Sequence, residues 1–250
     1  MSWNTKLKWD QNTERLYETG LRRGVLFLKN DDGTYAHGIA WNGLTAVTES
    51  PSGAESNPIY ADDMKYLDIR SAEEFGATVQ AYTYPDQFAL CDGSADLVAD
   101  VPGLVAIGQQ ARRAFGLCYQ TRVGNDVKFN DYSYKLHLLY GCTAAPSERE
   151  YQTVNDSPEA VQFSWELTTT PIELPTTMGT FKPTASLVID VSKIAAMPNE
   201  TEDEQKKKKH YLDAIEAIEK KLYGVEGEEG SDSTLVLPSE IPTLITPYTI

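Results

Sequence analysis

Apolar residues between positions 24 and 191 fall mostly in runs too short for helices, and turn formers separate the runs. The first run is Gly24-Val25-Leu26-Phe27-Leu28, ended by Lys29-Asn30-Asp31-Asp32-Gly33. Asp-Gly is a strong hairpin signal there. Ile39, Trp41, Leu44, Ala46 and Val47 form the next run, interrupted at Asn42-Gly43, where a bulge or tight bend is expected. Residues 49–58 are almost all turn formers and read as a surface loop. Strands are predicted near 59–69 and 75–82, then a short helix over 85–92 with proline in its first turn and glycine past its end. Residues 93–110 read as loop. A hairpin follows, with strands near 114–123 and 132–143 around the polar turn at Gly124-Asn125-Asp126. Val161, Phe163, Trp165 and Leu167 alternate with polar residues, as on a half-buried antiparallel strand. A Thr/Pro-rich connector leads to a last strand over 185–191.

The pattern changes at 198–224. Tyr211, Ile215, Ile218 and Leu222 make a helical stripe. Acids precede it, Lys220 and Lys221 close it, and Gly224 follows, as the helix dipole and C-cap favour. A helix near 202–223 is predicted, with the Lys206-Lys207-Lys208-Lys209 run on its solvated face. The apolar, Pro-interrupted tail at 235–250 is expected to dock either on the domain or on a neighbour. The expected division is an N-terminal arm over 1–23, a β-domain over 24–191, and a C-terminal extension with helix and tail over 192–250.

Charge narrows the function. The 250 residues include 22 basic and 37 acidic ones, a net charge of −15, which excludes reading nucleic acid by phosphate neutralisation. No apolar run approaches a membrane span, and the first ten residues lack the apolar core of a signal peptide. Cys91, Cys118 and Cys142 are odd in number and widely spaced, and read as buried reduced thiols. His37, His137 and His210 stand in no metal-binding spacing, so no metal or cofactor is expected. His137 alternates with Leu136 and Leu138 and reads as a strand residue on the opposite face. Asp62-Asp63 and Glu73-Glu74 could supply the facing carboxylates of a glycosidase, but chance pairing is expected among 37 acids, and no enzyme is predicted. The 14 tyrosines suit cross-strand packing and subunit interfaces, and leave a carbohydrate-binding β-sandwich module as an alternative.

A series of short strings resembles the major tail protein, or tail tube protein, of long-tailed bacteriophages and prophages of Gram-positive hosts. They begin with Gly24-Val25-Leu26-Phe27 and Gly38-Ile39-Ala40-Trp41-Asn42-Gly43-Leu44-Thr45-Ala46-Val47 with the following Glu49-Ser50-Pro51-Ser52-Gly53-Ala54-Glu55. Tyr60-Ala61-Asp62-Asp63, Lys65-Tyr66-Leu67, and Tyr82-Thr83-Tyr84-Pro85-Asp86 leading to Cys91-Asp92-Gly93 continue the series. Gly108-Gln109-Gln110, Phe115-Gly116, Gly124-Asn125-Asp126 and Tyr134-Lys135-Leu136-His137-Leu138-Leu139-Tyr140-Gly141 come next. Ala145-Pro146-Ser147-Glu148-Arg149, Val154-Asn155-Asp156-Ser157-Pro158-Glu159-Ala160 and Phe163-Ser164-Trp165-Glu166 complete it. Order and number carry the likeness, over roughly residues 20–190.

The resemblance implies a mainly β protein: an antiparallel β-sandwich or partial barrel of the phage tail tube type, flanked by a short helix. It implies a virion protein of the tail, assembled in the host cytoplasm. Six copies would form a ring, rings would stack into a tube, and strands from all six would share one inner barrel. The implied partners are further copies of itself, a tape measure protein in the lumen, and tail terminator and distal tail proteins at the ends. Double-stranded DNA would pass without specific binding, and neither a membrane nor a catalytic residue is implied. A tube or hub protein of a contractile tail or injection system is the nearest alternative. Four strands from each of six subunits, spaced ~4.8 Å and tilted ~45°, would close a barrel about 50 Å across. Side chains would leave a bore near 40 Å, ample for a duplex about 20 Å wide. An acidic wall would repel DNA and let it slide. Asp62, Asp63, Glu73 and Glu74 are the candidate lumen-facing acids. The loop with Glu49, Pro51, Gly53, Glu55 and Asn57 is the candidate ring-stacking or subunit contact.

Overall fold

The computed structural model describes Trp9 and residues 14–98, 100–147, 149–151, 153, 160–175, 181–226 and 232–249. Glu148 and residues 154–159 of the family-like strings lie outside them, as do 227–231 of the Gly/Glu/Ser-rich segment. In chain order the elements are β1 Leu16–Leu28, β2 Ile39–Trp41, β3 Leu44–Glu49, β4 Ser52–Gly53, β5 Ser56–Ala61, β6 Met64–Arg70, β7 Glu73–Glu74 and β8 Gly76–Ala81. The short helix α1, Ala89–Asp92, continues a 3-10 turn at Asp86–Phe88. After it come β9 Ala95–Asp96, β10 Ala106–Ile107, β11 Phe115–Asn125, β12 Phe129–Ala144, β13 Phe163–Thr169 and β14 Ser186–Asp190. The helices α2 Ser192–Ala195, α3 Glu202–Tyr223 and α4 Ile241–Leu244 complete the chain.

The fold is mainly antiparallel β, as the alternation predicts. Eight strands form one sheet in the order β2-β1-β11-β12-β13-β8-β3, with β14 added beside β12. β2 and β3 lie at opposite ends of that path yet are separated in sequence only by Asn42-Gly43, so the sheet curls back on itself at this corner. Curling stacks β3, β8 and β13 over β1, β11 and β12. Trp165, Phe88, Phe115, Leu117 and Trp41 fill the space between them. The four aromatic rings pack edge-on or tilted, with centroids 4.5–5.9 Å apart, within the favourable range for quadrupoles.

A second core lies on the other face of β1, β11 and β12. Val25, Phe27, Cys118, Leu136, Leu138 and Tyr140 meet Ile215, Ile218 and Leu222 of α3 there. The parity of β12 explains how one strand feeds both cores. Leu136, Leu138 and Tyr140 face α3, and Leu139, Cys142 and Ala144 face the sandwich. The even-numbered residues change sides at a bulge around Gly141, which has φ 58° and leaves no room for a Cβ beside the Thr170 carbonyl at 2.3 Å. The strand changes neighbours at the same point, from β14 at Lys135–Leu139 to β13 at Cys142–Ala144.

α3 begins at a capping box, in which Thr201 Oγ1 accepts from the Glu204 N–H and the Glu204 carboxylate accepts from the Thr201 N–H. The tail docks on the domain itself. Leu235 and Val236 are buried, the Tyr140 hydroxyl donates to the Val236 carbonyl at 2.8 Å, and Tyr248 donates to Asp203 at 3.0 Å. The three cysteines are buried and unbridged, and burial pushes the Cys91, Cys118 and Cys142 thiols up to about 12.

Several boundaries differ from the sequence reading. β1 starts at Leu16, so the upstream segment from there is sheet rather than arm. The stretch 59–69 is not one strand: Asp62 and Asp63, at φ 50° and 60°, make a two-residue turn between β5 and β6. Both central residues of such a turn need positive φ, which Asp tolerates better than most. The supposed loop at 49–58 pairs as strand, β4 with β7 and β5 with β6. Its turn-rich composition reflects full exposure rather than irregularity. Within 93–110, β9 and β10 form a small hairpin.

Candidate assembly surfaces

The longest strands extend beyond the sandwich. The first half of β1, the second half of β11, the first half of β12 and β14 form a four-stranded antiparallel unit in the order β1-β11-β12-β14. Leu187 and Ile189 of β14 add to the core under α3, so that face is covered over β12 and β14, while Leu16 to Gly20 of β1 stay exposed. The opposite face is polar but only partly exposed, with the His137 side chain at 11% and Glu49 reaching over it from β3. It carries Glu18, Thr121, Lys135 and His137, with Val188 at 49% exposure beside His137 in register.

These polar residues form one network. Lys135 Nζ donates to Glu18 Oε2 at 2.5 Å. The Thr121 hydroxyl donates to Glu18 Oε1 at 2.5 Å and stands 3.0 Å from His137 Nε2. With its own proton committed to a carboxylate, Thr121 receives the Nε2–H. His137 stacks on Tyr119, centroids 4.7 Å apart, and the Tyr119 hydroxyl donates to Glu49 Oε1 at 2.5 Å. Burial raises the Glu18 carboxyl, but the hydrogen bonds from Lys135 and Thr121 outweigh it and hold the group below its usual value. The His137 ring beside Glu49 holds that carboxyl low against burial, and the Tyr119 hydroxyl adds to the effect. Burial and the Glu49 bond push the Tyr119 phenol up.

Both margins of the unit lack a partner among the described residues. On the side of β1 away from β11, only β2 pairs, at Gly24–Leu26, which leaves Leu16–Arg23 open. β14 pairs only β12. The Tyr140 N–H donates to the Ala185 carbonyl at 2.8 Å and the Val191 N–H to the Tyr134 carbonyl at 3.2 Å. Antiparallel pairs alternate, so residues 185, 187, 189 and 191 bond inward. Ser186, Val188 and Asp190 therefore turn their backbone groups outward, those of Ser186 being taken up by the Thr184 hydroxyl at 2.7 and 3.3 Å.

The second surface is an arm. β4 to β7 leave the sandwich after β3 and return at β8, forming a long two-stranded projection in which every strand residue is exposed. Ile59, Tyr60, Met64, Tyr66, Leu67 and Ile69 are its exposed apolar residues. Its root is pinned where the Ser50 N–H donates to the Gly76 carbonyl at 2.8 Å.

The candidate residues sort onto these features. Glu49 is not in a loop; it ends β3 and reaches into the Tyr119–His137 network. Pro51 precedes β4, and Gly53 lies within it at φ 84°, where a Cβ would stand 2.2 Å from the Ala72 carbonyl oxygen. The Glu55 N–H donates to Ser71 Oγ at 3.0 Å, and Asn57 pairs with Ile69. Asp62 and Asp63 form the arm's tip, and Glu73 and Glu74 lie near its base, opposite Gly53 and Ser52. None of these four acids sits on the four-stranded unit. Sequence reasoning missed Glu18, Lys135 and the outward edge of β14. Only the alternation around His137 signalled an off-core face.

Among the described residues no helix is long and apolar enough to cross a membrane, and no three His, Cys, Asp or Glu side chains gather as metal ligands. No protein-family model matches the chain, and no curated protein matches it. Among solved structures, the chain is similar to the SPP1 tail tube at 14% identity, over 59% of this chain and 73% of that one, with a TM-score of 0.32. It is similar to a chain of the anti-feeding prophage baseplate at 8% identity, over 74% and 99%, with a TM-score of 0.33. For a chain of the sheath-tube complex of an extracellular contractile injection system the values are 10%, 68%, 89% and 0.28.

Proposed function

We propose that this chain is the structural subunit of a tail tube, and that copies join edge to edge through β1 and β14. The supporting observation is the four-stranded unit with two open margins, one covered face and one polar face. Within the unit β1 runs antiparallel to β14, so β14 of one copy can pair with β1 of the next while both keep the same face inward. A ring built this way closes the margins of the four-stranded units, which removes the hazard of those unpaired strands. Four strands per copy agree with the count in the barrel estimate, and six copies close a bore of roughly 40 Å.

With α3 and the tail covering one face, the polar face lines the bore in this reading. Glu18 and Asp190 then belong to the wall, with Lys135 partly neutralised by Glu18. Asp62, Asp63, Glu73 and Glu74 border the channel only where the arm meets the adjoining ring. That arm, with its exposed apolar residues, is the stacking contact. Double-stranded DNA passes without specific binding, a tape measure protein fills the lumen during assembly, and terminator and distal tail proteins close the ends. The test is electron microscopy of the purified protein over a range of concentrations. Six-fold rings and hollow rods are expected; a species that stays single-copy at high concentration refutes the proposal.

A further inference from the structure

The β11–β12 hairpin ends in the three-residue loop 126–128, and the residue after it is Phe129 at φ 50°. A three-residue hairpin loop is commonly a turn followed by a left-handed residue, the position glycine usually holds. The turn itself is well made. Asn125 Oδ1 accepts from the N–H groups of Val127 at 3.1 Å and Lys128 at 2.6 Å. For a bulky side chain the left-handed region is an outlier, and such residues persist where function holds them.

The Phe129 ring gains no burial in return for the strain, although the hairpin end is held by the Asn125–Phe129 pairing, by the Asp131 N–H donating to the Lys128 carbonyl and by the Tyr17 hydroxyl donating to Asn130 Oδ1. Phe129 is 70% exposed, belongs to neither core, and takes part in no ring contact among the described residues. Arg23 is a useful contrast: it also has positive φ, at 53°, but its guanidinium lies over the Tyr223 ring. Around Phe129 the hairpin end also exposes Val127, while Leu16 and Tyr17 stand exposed across the register from Asn125 and Gly124. The charges nearby, Asp126, Lys128 and Asp131, are mixed, which does not suit a polyanion.

We infer that Phe129 is a docking anchor that seats on a second copy of this chain in the adjoining ring. The inference rests on the tube reading above and adds a contact to it. In a barrel the strands run from one mouth to the other, so hairpin ends lie at the mouths. In a stack of barrels, the next copy faces each mouth. Exposed aromatics flanked by aliphatic residues are the usual anchors of protein interfaces.

The experiment compares the wild-type chain with Phe129→Gly, Phe129→Asn and Phe129→Tyr. Gly and Asn accept the left-handed backbone, so both variants should fold, with Tm unchanged or raised by roughly 2–4 °C. Rings should still form, but rods should fall at least tenfold in number, and Phe129→Tyr should restore them. Rods at the wild-type level in both Gly and Asn variants overturn the inference and leave the tube reading intact. Loss of rings as well as rods overturns it too, because the residue then serves ring closure. A wild-type chain that forms neither rings nor rods ends the tube reading itself, and this inference with it.

Discussion

His137 Nδ1 stands 3.3 Å from Glu49 Oε1, which joins the middle of β12 to the root of the arm. Glu49 titrates below the ordinary Glu value of 4.5 because this ring and the Tyr119 hydroxyl favour its charged form. A carboxyl lowered in the folded state adds stability above its unfolded value and loses it as pH falls through the folded value. Glu49→Ala should therefore destabilise the subunit near pH 7 by about 1 kcal/mol, the group being partly exposed. The difference from wild type should shrink toward pH 4. Urea unfolding at the two pH values measures both.

Val188 tests the edge. Its backbone groups point away from β12, so Val188→Pro removes an outward donor and spares the inner ladder. The subunit should keep its fold and melt within a few degrees of wild type. Rings should disappear in size-exclusion chromatography and microscopy. Unchanged ring formation would show that β14 is not the joining strand.

The arm should be separable from the fold. None of its strand residues is buried, and its two ends are held together by the Ser50–Gly76 hydrogen bond. Replacing residues 52–74 by a short Gly/Asn turn should leave circular dichroism and Tm nearly unchanged. Ring stacking should be lost. Rods of normal length would remove the arm from the assembly.

The C-terminal region should not be separable in the same way. Ile218 is fully buried between α3 and the sheet. Ile218→Ala should cost about 2–5 kcal/mol, as cavities left by large aliphatic side chains do. A loss of unfolding free energy below about 1 kcal/mol in urea would mean that α3 is only loosely docked.

Much of this was readable in the residues. The alternation of Phe163, Trp165 and Leu167 and the stripe through Ile215, Ile218 and Leu222 report burial period directly, with Val161 exposed ahead of β13, and Pro85, Gly93 and Gly224 mark the helix ends. The arm was misread because its strands bury nothing, so no apolar period marks them. Backbone pairing alone makes them strands, and turn-forming residues tolerate it. β1 was begun late for the same reason: Leu16 to Gly20 are exposed on both faces. The polar network escaped notice because Glu18, Glu49, Thr121 and His137 are scattered in sequence and meet only through register. Gly141 could have been suspected, since Leu139 breaks the even spacing of Leu136, Leu138 and Tyr140 just before it.

The placement of α3 has a geometric consequence for anything built from this subunit. A sheet blanketed on one side can bend only one way without burying its helix in the neighbour. In the proposed ring each added copy would therefore repeat the same curvature, with α3 on the outside. In the proposed tube, growth would then close on itself instead of running on as a flat ribbon, and every closed circle would have the same inner lining.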